Sequence, residues 1–376
     1  MQESVVFAAE SVAEGNPHKV ADQLADAVLD SLLARDRHAR VACKVLVSTG
    51  LVLVAGEVTT EAWVDMVSVV RSKLREIGYD DAALGFEASS CAVMNLLQEQ
   101  GEEIRRAVDR RGAGDLCTVV GYASDEGEGL TGGCDLMPVP IFLAHRLAGR
   151  LASVRRSADL PWLRPDGKVQ VCLEYGDDGR PRRIVSVAIC AQHAPDVEME
   201  QIRSALRREV VDASLLETGL LDADAQIWIN PAGPFTQGGP QVDCGQSGAK
   251  PAVDGYGMAC RQSDGALSGK DPTKPERSGA YMARHVAKSL VASGLVRRCE
   301  VRLTYIIGRE QPVAVQVEAA GVERDLEALV RERFELSIPG IIEAFDLRRP
   351  IYSPLACRGH FGRRDLNLPW EQVVGI

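Results

Sequence analysis

The sequence predicts an α+β protein built from three pseudo-symmetric copies of one α-β-β-α unit. Two observations carry this. Helical and then alternating apolar patterns follow one another three times, and the corresponding hairpins begin roughly 130 residues apart. Between them lie Gly-rich stretches with neither period, at 111–115, 127–134 and 230–274.

The first helix begins at Asn16-Pro17. Asn as N-cap and Pro at the first helical position form a strong start signal. Apolar residues then recur at Val20, Ala21, Leu24, Val28 and Leu32. Residues 41–48 and 51–58 alternate as a hairpin around Thr49-Gly50, and 59–77 reads as a second helix. In the second unit 141–155 is helical, 168–175 and 183–191 are strands around Gly176-Asp177-Asp178-Gly179, and 197–211 is helical. In the third, 278–293 is helical, 299–308 and 312–319 pair around Arg309-Glu310, and 323–334 is helical. The implied domains are 1–105, 112–229 and 231–376. The run from 230 to 274 is too long for an ordinary connection, which marks it as functional.

Composition narrows the class. With 45% hydrophobic and 26% charged residues the chain reads as globular, and no apolar run is long enough to cross a membrane. The N-terminus lacks the basic region of a signal peptide, and the cysteines form no C-x-x-C pair. Cys43, Cys172 and Cys190 sit in apolar runs, so buried reduced thiols and a cytoplasmic location are expected. A net charge of −10 argues against a general nucleic-acid surface.

Positive charge is instead concentrated locally. The stretch Gly265-Ala266-Leu267-Ser268-Gly269-Lys270-Asp271-Pro272-Thr273-Lys274 sets two lysines four residues apart behind a glycine-rich turn. It is not a P-loop, because Asp264 and Asp271 stand where that motif needs Gly and Ser or Thr. Glycines let backbone amides approach an anion closely, and paired ammonium groups neutralise it. The stretch therefore points to a polyanionic ligand; the plain alternative is a solvated turn.

Several motifs occur together: Glu10-Ser11-Val12-Ala13-Glu14-Gly15, Gly112-Ala113-Gly114-Asp115, Leu160-Pro161-Trp162-Leu163-Arg164-Pro165-Asp166, Ile229-Asn230-Pro231, Gly238-Gly239-Pro240, Asp243-Cys244-Gly245, Ser268-Gly269-Lys270-Asp271-Pro272 and Gly359-His360-Phe361-Gly362. In this combination the chain resembles the S-adenosylmethionine synthetase (methionine adenosyltransferase) family over essentially its whole length. The resemblance implies three α+β domains, a homodimer or tetramer, and active sites at the dimer interface. It implies attack of the methionine sulfur on C5′ of ATP, release of the triphosphate, and hydrolysis to phosphate and pyrophosphate. The implied cofactors are Mg²⁺ (or Mn²⁺) and K⁺. Such a displacement needs alignment of the reacting atoms and strong stabilisation of the departing polyanion.

Carried over by position, Glu57, Gln100, Asp243 and Lys274 match methionine contacts, and Phe235 matches the aromatic that stacks on adenine. Asp166, Lys168, Lys250, Ala266 and Lys270 match nucleotide and phosphate contacts, and Asp115 an acidic residue near the reacting centre. Lys168, Lys250, Lys270 and Asp115 are thus the candidate catalytic groups. Taken singly, Glu57 and Lys274 read as solvent-facing charges and Phe235 as core packing; within the motifs they read together as a site.

Other positions depart from the family pattern. Asn16 replaces a histidine that contacts the triphosphate; it keeps a hydrogen-bond donor but no charge, and is also a good N-cap. His18 replaces a magnesium-binding aspartate and Glu276 a second metal carboxylate. Imidazole suits a hard cation poorly, which leaves Mn²⁺, Zn²⁺ or direct phosphate contact for His18. Lys44 replaces the glutamate at the monovalent-cation position, so either its ammonium substitutes for K⁺, making K⁺ dispensable, or it points to solvent. Pro234 and Ala249 stand where phosphate-binding arginines are expected, with Arg110, Arg111 and Lys19 as candidates to compensate. Three functional readings follow: S-adenosylmethionine formation from ATP; transfer of adenosyl from S-adenosylmethionine to another nucleophile; or a non-catalytic S-adenosylmethionine-binding or partner subunit.

Overall fold

The computed structural model describes residues 5–101 and 112–376. Arg110 and Arg111 lie outside the described residues. The fold is α+β, with three sheets that each contain one of the expected hairpins. Strand β1 (Val5–Val12) leads to helix α1 (Pro17–Leu33), then β2 (Arg40–Ser48), β3 (Leu51–Thr59), α2 (Met66–Ile77), β4 (Ala92–Glu99) and β5 (Cys117–Ser124). Helix α3 (Val139–Arg156), β6 (Leu163–Tyr175), β7 (Pro181–His193), α4 (Met199–Leu206) and β8 (Gln226–Ile229) follow. The last third holds β9 (Gly245–Gln246), α5 (Pro275–Ala292), β10 (Arg298–Tyr305), β11 (Ala314–Glu318), α6 (Leu326–Arg333) and α7 (Ile338–Ala344).

Sheet membership interleaves along the chain. The order β4-β3-β2-β9 makes one sheet, β1-β6-β7-β8 the second, and β11-β10-β5 the third. Thus the first strand joins the middle hairpin, running antiparallel to β6 from Val5 opposite Tyr175 to Val12 opposite Lys168. Strand β5 likewise joins the last hairpin, with Cys117 opposite Tyr305. Helix α1 packs on β2, α3 on β1 and β6, and α5 on β5 and β10. At Gly121 of β5 an added Cβ would lie 2.0 Å from the Ala283 backbone, so only glycine lets strand and α5 approach so closely. The apolar interior forms two clusters: one joins the α1 and α5 regions, the other surrounds α3 and its sheet.

Several sequence expectations are corrected. The span 59–77 is not one helix: β3 runs to Thr59 and α2 begins at Met66, capped by the Asp65 carboxylate on the Ser68 N–H. The helix expected over 197–211 is α-helical only from Met199 to Leu206 and continues as a π-helical stretch, Arg207–Asp212. Strands β1, β4 and β5 went unforeseen, because they lie outside the repeated hairpins. Cys43 is buried, but Cys172 is half-buried and Cys190 exposed, since strand alternation turns the latter to the open face. No described helix is long and apolar enough to cross a membrane.

Candidate functional site

Two lysine–carboxylate clusters gather most of the candidate lysines. The first is centred on Glu10 of β1. Lys168 Nζ lies 2.6 Å from Glu10 Oε2 and Lys250 Nζ 3.1 Å from Oε1. The β1–β6 register brings Lys168 there, opposite Val12. Burial pushes the Glu10 carboxyl up, but the two ammonium groups outweigh it and hold its pKa below the usual value. Sequence reasoning quoted Glu10 within a motif and missed its role. A carboxylate ending the apolar run of an edge strand was the available signal.

The second cluster is built on the 268–276 loop. Gly269 has φ +80° and an added Cβ would sit 2.1 Å from the Cys43 carbonyl oxygen, so this turn requires glycine. Its carbonyl accepts the Cys43 N–H at 2.8 Å. Asp271, at the place of a P-loop Ser or Thr, is buried; its carboxylate accepts the N–H groups of Val41 at 2.8 Å and Thr273 at 2.9 Å. The loop is therefore no solvated turn. Lys270 Nζ lies 2.8 Å from Glu276 Oε1. Lys274 Nζ donates to the Gly114 carbonyl at 2.9 Å and stands 3.6 Å from Asp115. Burial raises the pKa of Glu276, with Lys270 opposing it. Asp115 is lowered: burial is outweighed by the Leu116 N–H, by Lys274 and by a hydrogen bond with Glu276.

At the start of α1, Asn16 accepts the His18 N–H at 3.3 Å, as an N-cap should. Asn16 also hydrogen-bonds Asp166, whose carboxylate accepts the Gly239 N–H at 2.8 Å. Burial raises the Asp166 pKa, against the pull of the Gly239 and Gly167 amides and Asn16. A Cβ on the adjoining Gly238 would crowd Phe235, Gln192 and Asp166, so closely do these groups gather. The Phe235 backbone is held from both sides by His193: its N–H donates to His193 Nε2 at 3.0 Å, and its carbonyl accepts the His193 N–H at 2.9 Å. His193 was not anticipated, and nothing in the sequence near it signals this role.

The remaining candidates are less gathered. Ala42 pairs with Glu57 across the hairpin and bridges to Lys270, so Glu57 lies near the second cluster. Ala266 packs under Gly248, two residues before Lys250. Gln100 is buried with its Oε1 unpartnered among the described residues. Asp243 is exposed and accepts the N–H of Cys244 at 2.8 Å. Lys44 is exposed in the isolated chain. Lys19 joins neither cluster; it is fully buried, bonded to Asp22 at 2.9 Å and to Asp254. Pro234 and Ala249 are both exposed.

The two metal candidates differ. Among the described residues Glu276 Oε2 is buried with no hydrogen-bond donor, and Asp115 stands beside this side chain, so two hard oxygen donors suit Mg²⁺ or Mn²⁺ there. No group of three or more ligating side chains assembles among the described residues, and Mg²⁺ commonly takes its other ligands from phosphates and water. His18 Nδ1 accepts the Gln246 N–H at 3.2 Å. Neutral imidazole then carries its proton on Nε2, which can donate a hydrogen bond but has no lone pair for a metal.

Comparison with known proteins shows the family of the chain. The S-adenosylmethionine synthetase N-terminal domain matches residues 4–102, the central domain 110–235 and the C-terminal domain 237–372. The S-adenosylmethionine synthase of Desulforudis audaxviator (strain MP104C) is 50% identical over 386 aligned positions, covering 98% of this chain and 96% of the relative. That of Staphylococcus epidermidis (strain RP62A) is 44% identical, covering 98% and 95%. With all three domains matched and relatives alike over nearly their full length, the chain belongs to the S-adenosylmethionine synthetase family.

Proposed function

We propose that this protein forms S-adenosylmethionine from ATP and L-methionine by attack of the thioether sulfur on C5′, releasing the triphosphate for hydrolysis to phosphate and pyrophosphate. The observation that carries the reading is the pairing of Lys168, Lys250 and Lys270 with Glu10 and Glu276 at side-chain exposures from 46% down to 5%. The two pairs on Glu10 are partly open and worth little to stability, so an arriving polyphosphate can take Lys168 and Lys250 from that carboxylate, whereas Lys270 stays oriented by the buried Glu276. Phe235, held by His193, supplies an aromatic face for adenine, and Asp166 fixes the loop beside it. Glu57, Gln100, Asp243 and Lys274 complete the methionine side in this reading.

Glu276 and Asp115 would hold a divalent cation, Mg²⁺ or Mn²⁺, which when bound neutralises phosphate charge. His18 Nε2–H and the Asn16 side chain are donors toward phosphate. Lys44 supplies a fixed positive charge where a monovalent cation would otherwise serve. Such charge stabilisation has its largest effect where water is excluded, and a second copy of the chain is proposed to provide that exclusion. Each sheet has exposed large apolar residues on or beside its strands: Phe7 on β1, Met94 and Leu96 on β4, and Ile306 and Val313 next to β10 and β11. A second copy of the chain packed on these sheets would cover such exposed apolar surface. The working form is therefore a homodimer or a pair of dimers acting on small molecules in the cytoplasm.

The test is incubation of the purified protein with ATP, methionine and Mg²⁺ or Mn²⁺, with products read by mass spectrometry. S-adenosylmethionine should appear with phosphate and pyrophosphate. Product only when S-adenosylmethionine replaces ATP as donor would shift the reading to a different nucleophile. No turnover in either mixture, with S-adenosylmethionine still bound, would make the protein a binding or partner subunit.

A further inference from the structure

Helix α1 carries aspartates at 22, 26 and 30, four apart and so on one face. Asp22 and Asp26 are fully buried, and Asp30 is largely so. Each accepts backbone N–H groups from a segment more than two hundred residues away. Asp22 Oδ1 takes the Gly248 N–H at 2.7 Å, and Asp26 Oδ1 takes the Gly269 N–H at 2.8 Å. Asp30 takes Ser353 at 2.7 Å and Tyr352 at 3.1 Å. The countercharges are internal: Lys19 bridges Asp22 and Asp254, and Arg277 lies 2.5 Å from Asp26.

The pinned glycines are placed with purpose. Gly248 stands two residues before Lys250 and Gly269 one residue before Lys270, and both have φ +80°. One helical turn of α1, about 6 Å for four residues, therefore sets the spacing of two loops that each present a lysine. Buried ion pairs are not required for stability, since apolar residues of similar volume often serve as well or better. Their value lies in fixing one geometry.

Resting on the reading of these lysines as triphosphate ligands, we infer that Asp22 and Asp26 are positioning residues that set the separation of Lys250 and Lys270 and so the affinity of the site for linked phosphates. Neither aspartate touches the ligand. Asp30 provides an internal control: it lies on the same helix and face and likewise accepts distant backbone N–H groups, but it pins a segment that carries no phosphate lysine.

The experiment compares the full-length protein with Asp22→Asn, Asp26→Glu and Asp30→Asn. Asp22→Asn leaves one oxygen to serve both Gly248 and Lys19. Asp26→Glu keeps the charge opposite Arg277 but pushes Gly269 outward by one methylene. Binding of inorganic tripolyphosphate is measured by calorimetry, alongside the KM for ATP and for methionine. The proposal expects tripolyphosphate affinity to fall about tenfold or more in the first two variants and to stay within about twofold in Asp30→Asn. The KM for ATP should rise in step while that for methionine holds. If all three variants bind like the unmutated protein, or Asp30→Asn weakens binding as much as the others, the aspartates are structural and the inference is overturned. If one of the first two fails to fold, the other decides. An unmutated protein that binds no tripolyphosphate overturns the functional reading itself, and the inference with it.

Discussion

The charges buried beneath α1 and those of the lysine clusters use the same residue types to opposite ends. Beneath the helix, Lys19, Asp22, Asp254, Asp26 and Arg277 meet one another at side-chain exposures of 5% or less. Their surroundings make separation costly, so these pairs are permanent. In the cluster on Glu10, Lys168 and Glu10 are 46% and 32% exposed, and water competes for both partners. Burial thus decides whether an ion pair is a fixed part of the fold or a contact that a ligand can replace.

The largest effect should come from replacing one lysine of each kind. Lys19→Met leaves Asp22 and Asp254 uncompensated and is expected to cost about 3–5 kcal/mol of stability, read by urea unfolding. Lys168→Met should cost less than about 1 kcal/mol in the same assay. Its turnover, however, should fall by about 10²–10³, the usual consequence of losing one transition-state charge contact. Similar stability losses in the two variants would erase the distinction.

Two further buried carboxylates sharpen the contrast through pH. Glu371 is pushed up by burial but pulled further down by Arg284 and Lys288, to a pKa of about 2 against an ordinary 4.5. Its contribution to stability is present above about pH 4.5 and lost as pH falls toward 2. Asp30 goes the other way: burial raises it to about 7 from 3.8, only partly opposed by the Ser353 and Tyr352 amides. Its contribution is present below about pH 4 and lost as pH rises through 7. Glu371→Gln should flatten the acid limb of the stability profile, and Asp30→Asn the slope between about pH 4 and 7. Unfolding series from about pH 2 to pH 7 check both; unchanged slopes would mean that neither carboxylate is held as its surroundings require.

A smaller effect is expected at the helix start. Asn16→Ala removes the cap on the His18 N–H and should cost about 1 kcal/mol, whereas Asn16→Asp keeps the cap but loses the hydrogen bond to Asp166 and should recover only part of that loss. The aspartate would face phosphate with a negative charge, so its KM for ATP should rise more than that of the alanine variant. Equal KM values would reduce Asn16 to a cap alone.

The smallest effect concerns Lys44. Exposed in the isolated chain, its replacement by Gln should change stability by no more than about 0.5 kcal/mol. If its ammonium stands in for a monovalent cation in the assembled site, turnover of the unmutated protein should be indifferent to K⁺, and Lys44→Glu should introduce a K⁺ requirement. Strong K⁺ activation of the unmutated protein would return Lys44 to an ordinary surface charge.

Much of this arrangement was legible in the chain itself. The three hairpins follow from period-two alternation around turn residues, and α1 from its Asn-Pro start and apolar spacing, because these depend on neighbours in sequence. The family motifs pointed to Lys168, Lys250 and Lys270. What local pattern could not supply was partnership at a distance. Strand β1 reads as an isolated apolar run, and only the folded chain pairs it with β6 and so sets Glu10 between Lys168 and Lys250. Lys19 looked available for phosphate, yet Asp254, more than two hundred residues later, takes its charge into the core. Sequence determines which groups exist and how each segment is inclined to fold; tertiary structure decides which charges are desolvated and with whom they pair. The strength of an electrostatic contact depends on distance and on the exclusion of water, and neither is a local property of the chain.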